Sequence, residues 1–127
     1  MKKFEIICER KLIEYDLDNK EIKVLLGKPS KYQDTEFICA FQIIGLENSQ
    51  IQYAHGEDSF QALIMALEGI RVTLNKSDKN LTWIGGEKGD HGFPRFVTMS
   101  FGLAFSQLLD NIIDQEIKIF AENAQKK

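Results

Sequence analysis

Between Asp58 and Asn75 the sequence has the spacing of one long amphipathic helix, and such a helix needs an apolar surface to lie on. Phe60, Leu63, Ile64, Leu67, Ile70 and Leu74 recur at i, i+3, i+4 and i+7, which predicts a single core-facing stripe. Beside it run Ala62, Ala66, Gly69 and Thr73, small side chains that permit a close approach. Asp58 is placed to cap the first turn, with Gln61 three residues on to answer it in a capping box.

The segments on either side supply the surface. Phe4, Ile6 and Cys8 alternate with Lys3, Glu5 and Glu9, the two-residue period of a half-buried strand. Near Arg10 and Lys11 the apolar phase slips to Leu12, Ile13, Tyr15 and Leu17, which predicts a bulge or bend there. Asp16, Asp18 and Asn19 give a turn, and Ile22, Val24 and Leu26 mark a second strand that Gly27 and Pro29 end at an edge or outside the sheet. Glu36–Gly45 is apolar on both faces, as in a central strand. Ile51, Tyr53 and His55 continue a fourth strand, and Leu81–Ile84 offers a fifth, or an extended piece docking Trp83 on the core. From Ser100 to about Asn123 a second long helix carries a wide apolar face, including Phe105, Leu109, Ile112, Ile113, Ile117 and Phe120. That face either packs on the sheet or first helix, or forms the seam of a homodimer. The expectation is one α+β domain over 1–127: a meander of about four to five antiparallel strands packed against two long amphipathic helices.

A net charge of −3 with acids and bases mixed throughout disfavours nucleic-acid and anionic-membrane partners, which call for a basic patch. No apolar run approaches the length of a membrane span, and Glu5, Glu9 and Arg10 interrupt any leader-like start. Cys8 and Cys39 both fall in strand patterns, so reduced core thiols and a cytoplasmic setting are expected.

The least ordinary stretch is the glycine-rich run Gly85–Pro94. With Gly56-Glu57-Asp58-Ser59-Phe60-Gln61-Ala62-Leu63 before it, the segment Trp83-Ile84-Gly85-Gly86-Glu87-Lys88-Gly89-Asp90-His91-Gly92-Phe93-Pro94 resembles a family of small bacterial proteins catalogued as a domain of unknown function. That family pairs a Gly-x-Asp-x-x-Gln-Ala-Leu helix start with a Trp-x-Gly-Gly and Gly-Phe-Pro loop. The resemblance implies a shared fold from the first strand to the last helix, and it implies no activity, substrate or cofactor.

Closely spaced glycines let a backbone approach a partner, and successive amides can form an anion-binding nest, to which Lys88 and Arg95 add charge and His91 a titratable donor. Glu87 and Asp90 would repel an anion, and the spacing is neither a P-loop nor a dinucleotide fingerprint. His55, Glu57 and Asp58 with Asp90 and His91 contain metal-ligand types, but without a paired spacing such as His-x-x-x-His, so no metal or other cofactor is expected. Asp90 with His91, or Glu57 with His55, are the only pairs worth weighing for acid–base chemistry. Trp83 and Phe93 either plug the core or form an aromatic contact patch. The reading is an interaction domain without catalysis, of immunity or inhibitor type by analogy alone. Its contact residues are Lys88, Asp90, His91, Arg95, Trp83 and Phe93, with an unknown protein as partner. The alternative is a small-molecule or anion-binding domain, or a weak hydrolase, built on loop 85–95.

Overall fold

The computed structural model describes residues 4–16, 18–96 and 101–125. The chain divides into two compact units, Met1–Arg95 and Phe96–Lys127.

In the first unit the expected α+β architecture is present as a six-stranded antiparallel sheet and one helix. The strands are β1 (Ile6–Glu14), β2 (Lys20–Gly27), β3 (Ser30–Gln33), β4 (Glu36–Ile44), β5 (Gln52–Gly56) and β6 (Leu81–Trp83), with helix α1 (Ser59–Lys76) between the last two. β1 pairs with β2, β2 with β4, and β4 with β5, which is the meander; β6 returns to the free side of β1. The β1–β2 turn places Asp18 and Asn19 at φ 51° and 56°, a region their short polar side chains tolerate. Leu17, assigned to the apolar phase of the first strand, lies outside the described residues.

Three expectations about the strands need correction. The irregularity in β1 falls between Ile6 and Cys8, and the register then runs unbroken from Cys8 to Glu14. Arg10 and Lys11 therefore cause no bulge. Cys8 is exposed while Cys39 is buried, so only Cys39 is a core thiol. The chain also rejoins the sheet after Pro29, where β3 pairs with β4. All four β3 residues are exposed, so no hydrophobic alternation announces the strand, and Pro29 sits in the gap between β2 and β3.

The core lies between α1 and one sheet face, where Leu12, Ile22, Val24, Leu26, Cys39, Phe41 and Ile43 meet the helix. Asp58 caps α1 as expected, its carboxylate accepting from the Gln61 amide at 2.8 Å. Gln61 Oε1 accepts in return from the Glu57 amide at 2.6 Å, one residue ahead of the usual capping-box donor. The buried face is rotated from the expected stripe. Ala62 and Ala66 are 0% exposed, joined by Ile70 and Leu74, whereas Phe60 is 76% exposed and Ile64 is also outside. The small residues set this choice. An Ala-Ala-Gly row lets the helix backbone sit against β4 and β5, and Gly69 gives its space to the Phe41 ring. Full burial of Ile70 and Leu74 then contributes about 1.5–3 kcal/mol each. At the far end Glu14 is buried, with Oε2 3.3 Å from Lys79 Nζ and Oε1 unpartnered among the described residues.

In the second unit α2 (Leu103–Gln125) is a helix of 23 residues, close to the expected Ser100–Asn123. None of its residues is buried, and Leu108, Ile112, Ile113, Ile117, Ile119 and Phe120 are all exposed. No described helix is long and apolar enough to cross a membrane.

Candidate functional site

The glycine-rich loop folds back on the strand that leads into it. Trp83 in β6 accepts from the Gly86 amide at 3.0 Å and donates to the Asp90 carbonyl at 3.0 Å, which closes the loop on itself. Inside it the Asp90 amide donates to the Glu87 carbonyl at 2.8 Å, and the Gly89 amide to Thr82 Oγ1 at 2.8 Å. The Gly92 amide donates to Asp90 Oδ1 at 2.8 Å, and the Phe93 amide to His91 Nδ1 at 3.1 Å. The amides of Gly86, Gly89, Asp90, Gly92 and Phe93 are thus engaged locally.

His91 is fixed by the same economy. Because Nδ1 accepts from a backbone N–H, the ring proton sits on Nε2, which donates to Asn75 Oδ1 at 2.8 Å. Burial holds His91 below its ordinary pKa; the Asp90 carboxylate opposes the shift, while Arg71 and Arg10 add to it. The outcome is a neutral imidazole with both nitrogens engaged, tying the loop to the end of α1. Arg71 is itself paired with Glu68.

The remaining expected residues separate. Lys88 lies 3.7 Å from Asp16 Oδ1, a carboxylate that also accepts from Asn80. Arg95 is exposed, and among the described residues no carboxylate pairs with it. His55 pairs with Glu36 across β4 and β5, and its ring meets Tyr32 edge-on. Asp58 is the helix cap. No group of three or more His, Cys, Asp or Glu among the described residues is placed to hold a metal.

What the structure assembles is an aromatic clamp around one arginine. Trp83 and Phe93 are half-buried and packed against the core, the plug arrangement rather than an open aromatic patch. Between them lies the guanidinium of Arg10, 5.0 Å from the Trp83 ring centre and 4.7 Å from that of Phe93. Arg10 also donates from Nη1 to the Gly92 carbonyl at 2.9 Å, pinning the loop to β1 across a sequence separation of 82 residues. Sequence reasoning missed Arg10, although a signal was there: it occupies the inward phase of β1 between Cys8 and the buried Leu12. Beside the clamp is a cavity of about 230 Å³, bounded by Cys8, Arg10, Val24, Leu67, Ile70 and Phe93 among others. A second, more open hollow is lined by Tyr15, Thr82, Gly86 and Lys88.

A family model described as "Domain of unknown function (DUF6968)" matches residues 8–95. Both stretches that carry the resemblance, 56–63 and 83–94, fall inside this match, whereas α2, expected to share it, lies outside. No curated protein and no solved structure matches the chain.

Proposed function

The chain belongs to the family of domains of unknown function DUF6968, and we propose that it is a small protein-interaction domain without catalysis, whose principal contact surface is the apolar stripe of α2. The observation that carries this reading is that a helix of 23 residues presents Leu108, Ile112, Ile113, Ile117 and Phe120 with no residue buried. Isolated helices are marginal in water and draw most of their stability from a packed apolar face. An exposed stripe at i, i+4 spacing is the kind that enters a partner's groove. The glycine-rich loop supports the non-catalytic part, since His91 bonds Asn75, Asp90 bonds the Gly92 amide and Lys88 faces Asp16 at the surface instead of converging on a common point. Glu116 lies inside the stripe, with Ile112, Ile113, Ile119 and Phe120 as its three- and four-residue neighbours. A partner must therefore offer a cation there, and two copies crossing at that point would oppose carboxylates. A different protein suits the stripe better than a second copy.

Sedimentation of the purified chain, then cross-linked capture from cells, tests the proposal against an Ile113→Gln/Phe120→Gln variant of unchanged helicity. The expected result is a monomer when pure and a captured protein that both this variant and Glu116→Lys lose. A homodimer dissolved by the double variant would refute the hetero-partner reading. Capture that survives both variants would refute the assignment to α2.

A further inference from the structure

We propose that the cavity beside Phe93 binds a small apolar monocarboxylate, an acid of the size of benzoate or hexanoate, with its carboxylate on the Arg10 guanidinium and its hydrocarbon between α1 and the sheet. The inference is independent of α2, because every lining residue lies within 8–94.

A guanidinium has five N–H donors in a fixed fork that suits a carboxylate. Arg10 is half-buried, uses Nη1 on the Gly92 carbonyl, and has no carboxylate partner among the described residues. Removing such a charge from water is costly unless it is paired, and two aromatic faces offset only part of that cost. Arg71, the other half-buried arginine among the described residues, has Glu68. The clamp holds the Arg10 side chain in place, so a bound carboxylate would meet a preorganised donor.

Helix α1 lies over β4 and β5 and only grazes β2. The β1 side of the same sheet face is left to loop 92–94, and the space between becomes the cavity. Apart from Arg10, the side chains turned toward it are apolar: Val24, Leu67, Ile70 and Phe93, with the Cys8 thiol at the rim. Glu9 contributes backbone only, because Cys8 and Arg10 pair with Leu26 and Val24 on the lining face while Glu9 pairs with Leu25 on the other. An apolar cavity of about 150 Å³ suffices for benzene, so about 230 Å³ accommodates a ring or short chain plus one carboxylate. One fork and an otherwise apolar wall suit a monocarboxylate over a phosphate or a dicarboxylate, which would leave charge unmatched.

Cys8 supplies a built-in reporter, since it is exposed at the cavity while Cys39 is buried. The test is the rate of Cys8 alkylation by iodoacetamide in the full chain, titrated with sodium benzoate or hexanoate and, in parallel, benzyl alcohol or hexanol. The expected result is saturable protection by the acids, with the alcohols roughly tenfold or more weaker because they cannot make the charged pair. The fluorescence of Trp83, the single tryptophan, should titrate at the same concentrations. Arg10→Gln should abolish the preference for acids over alcohols, and Arg10→Lys should keep part of it. Unchanged Cys8 reactivity up to tens of millimolar acid, or equal protection by acid and alcohol, would overturn the proposal. The acid–alcohol comparison uses the natural chain, so it decides even where Arg10→Gln fails to fold.

Discussion

Gly56→Ala isolates one packing contact and gives opposite signs depending on whether the contact is real. Gly56 ends β5 against the first turn of α1, and a methyl added there would sit 2.8 Å from the Gln61 carbonyl carbon and 2.9 Å from Ala62 Cα, closer still to the Ala62 amide nitrogen. Ordinary contact starts at 3.4 Å, and the obstacles are backbone atoms of a capped helix, so no side chain can swing aside. The Gly56 φ lies outside the left-handed region, so alanine is conformationally acceptable. Free of the clash, the substitution would stabilise by about 0.4–1 kcal/mol through the unfolded chain. Overpacking of this kind costs about 1–3 kcal/mol, and pushing α1 outward also strains the Asp58–Gln61 cap, worth about 1 kcal/mol. A net loss of about 2–3 kcal/mol follows. In urea, with Trp83 fluorescence and circular dichroism as joint probes, the midpoint should fall by about 1 M or more at unchanged slope. Gly89→Ala is the control: its φ is +91° but the nearest atom lies 3.7 Å away, so it should cost only about 1–2 kcal/mol of backbone strain. A Gly56→Ala midpoint equal to or above that of the natural chain would refute the close approach of β5 and α1.

Other perturbations probe the cap, the helix seat, the loop and the two thiols. Gln61→Ala should cost up to about 1 kcal/mol and Asp58→Ala about 1–2 kcal/mol in thermal melts, and a silent pair would place the helix start elsewhere. Gly69→Leu should be worse than either, because a Cβ there already sits 2.9 Å from Phe41 Cζ; a folded protein with an unshifted melt would contradict the packing. The unfolded His91 takes a proton near pH 6.5 and the folded one resists it, so its contribution is whole above that pH and is lost as pH falls through the lower folded value. His91→Gln should remove that slope from denaturation midpoints between pH 7 and 5, and an identical slope in the variant would rule out the assigned hydrogen bonds. Burial, with a smaller push from Cys8, raises the Cys39 thiol to about 11, so at pH 8 only Cys8 should react until the sheet unfolds. Equal alkylation of both thiols in the native state would contradict the core position of Cys39.

What could be read from the sequence is what is decided locally. The meander, the Asp58 cap and both helices follow from turn residues, alternation and helical spacing, and each is present. Which face of α1 is buried is not local. Phe60 and Ile64 are as hydrophobic as Ile70, but the sheet accepts the helix through Ala62 and Ala66, and complementarity of size belongs to both surfaces at once. β3 escaped because it has no buried side chain and exists only through its pairing with β4. Arg10 is the more instructive miss. A cation in the inward phase of an apolar strand has two explanations: either the strand slips so that the charge faces water, or the fold has a use for the charge. The pattern alone favours a slip, because desolvating an arginine is expensive. The unbroken pairing from Cys8 to Glu14 excludes it, and the compensation comes from Trp83 and Phe93, more than seventy residues away, delivered by β6 returning to β1. The glycine-rich loop is therefore explained by a residue at the opposite end of the unit. Its glycines and its aromatic pair shape a seat for one guanidinium, and that guanidinium belongs to a residue lining a largely apolar cavity.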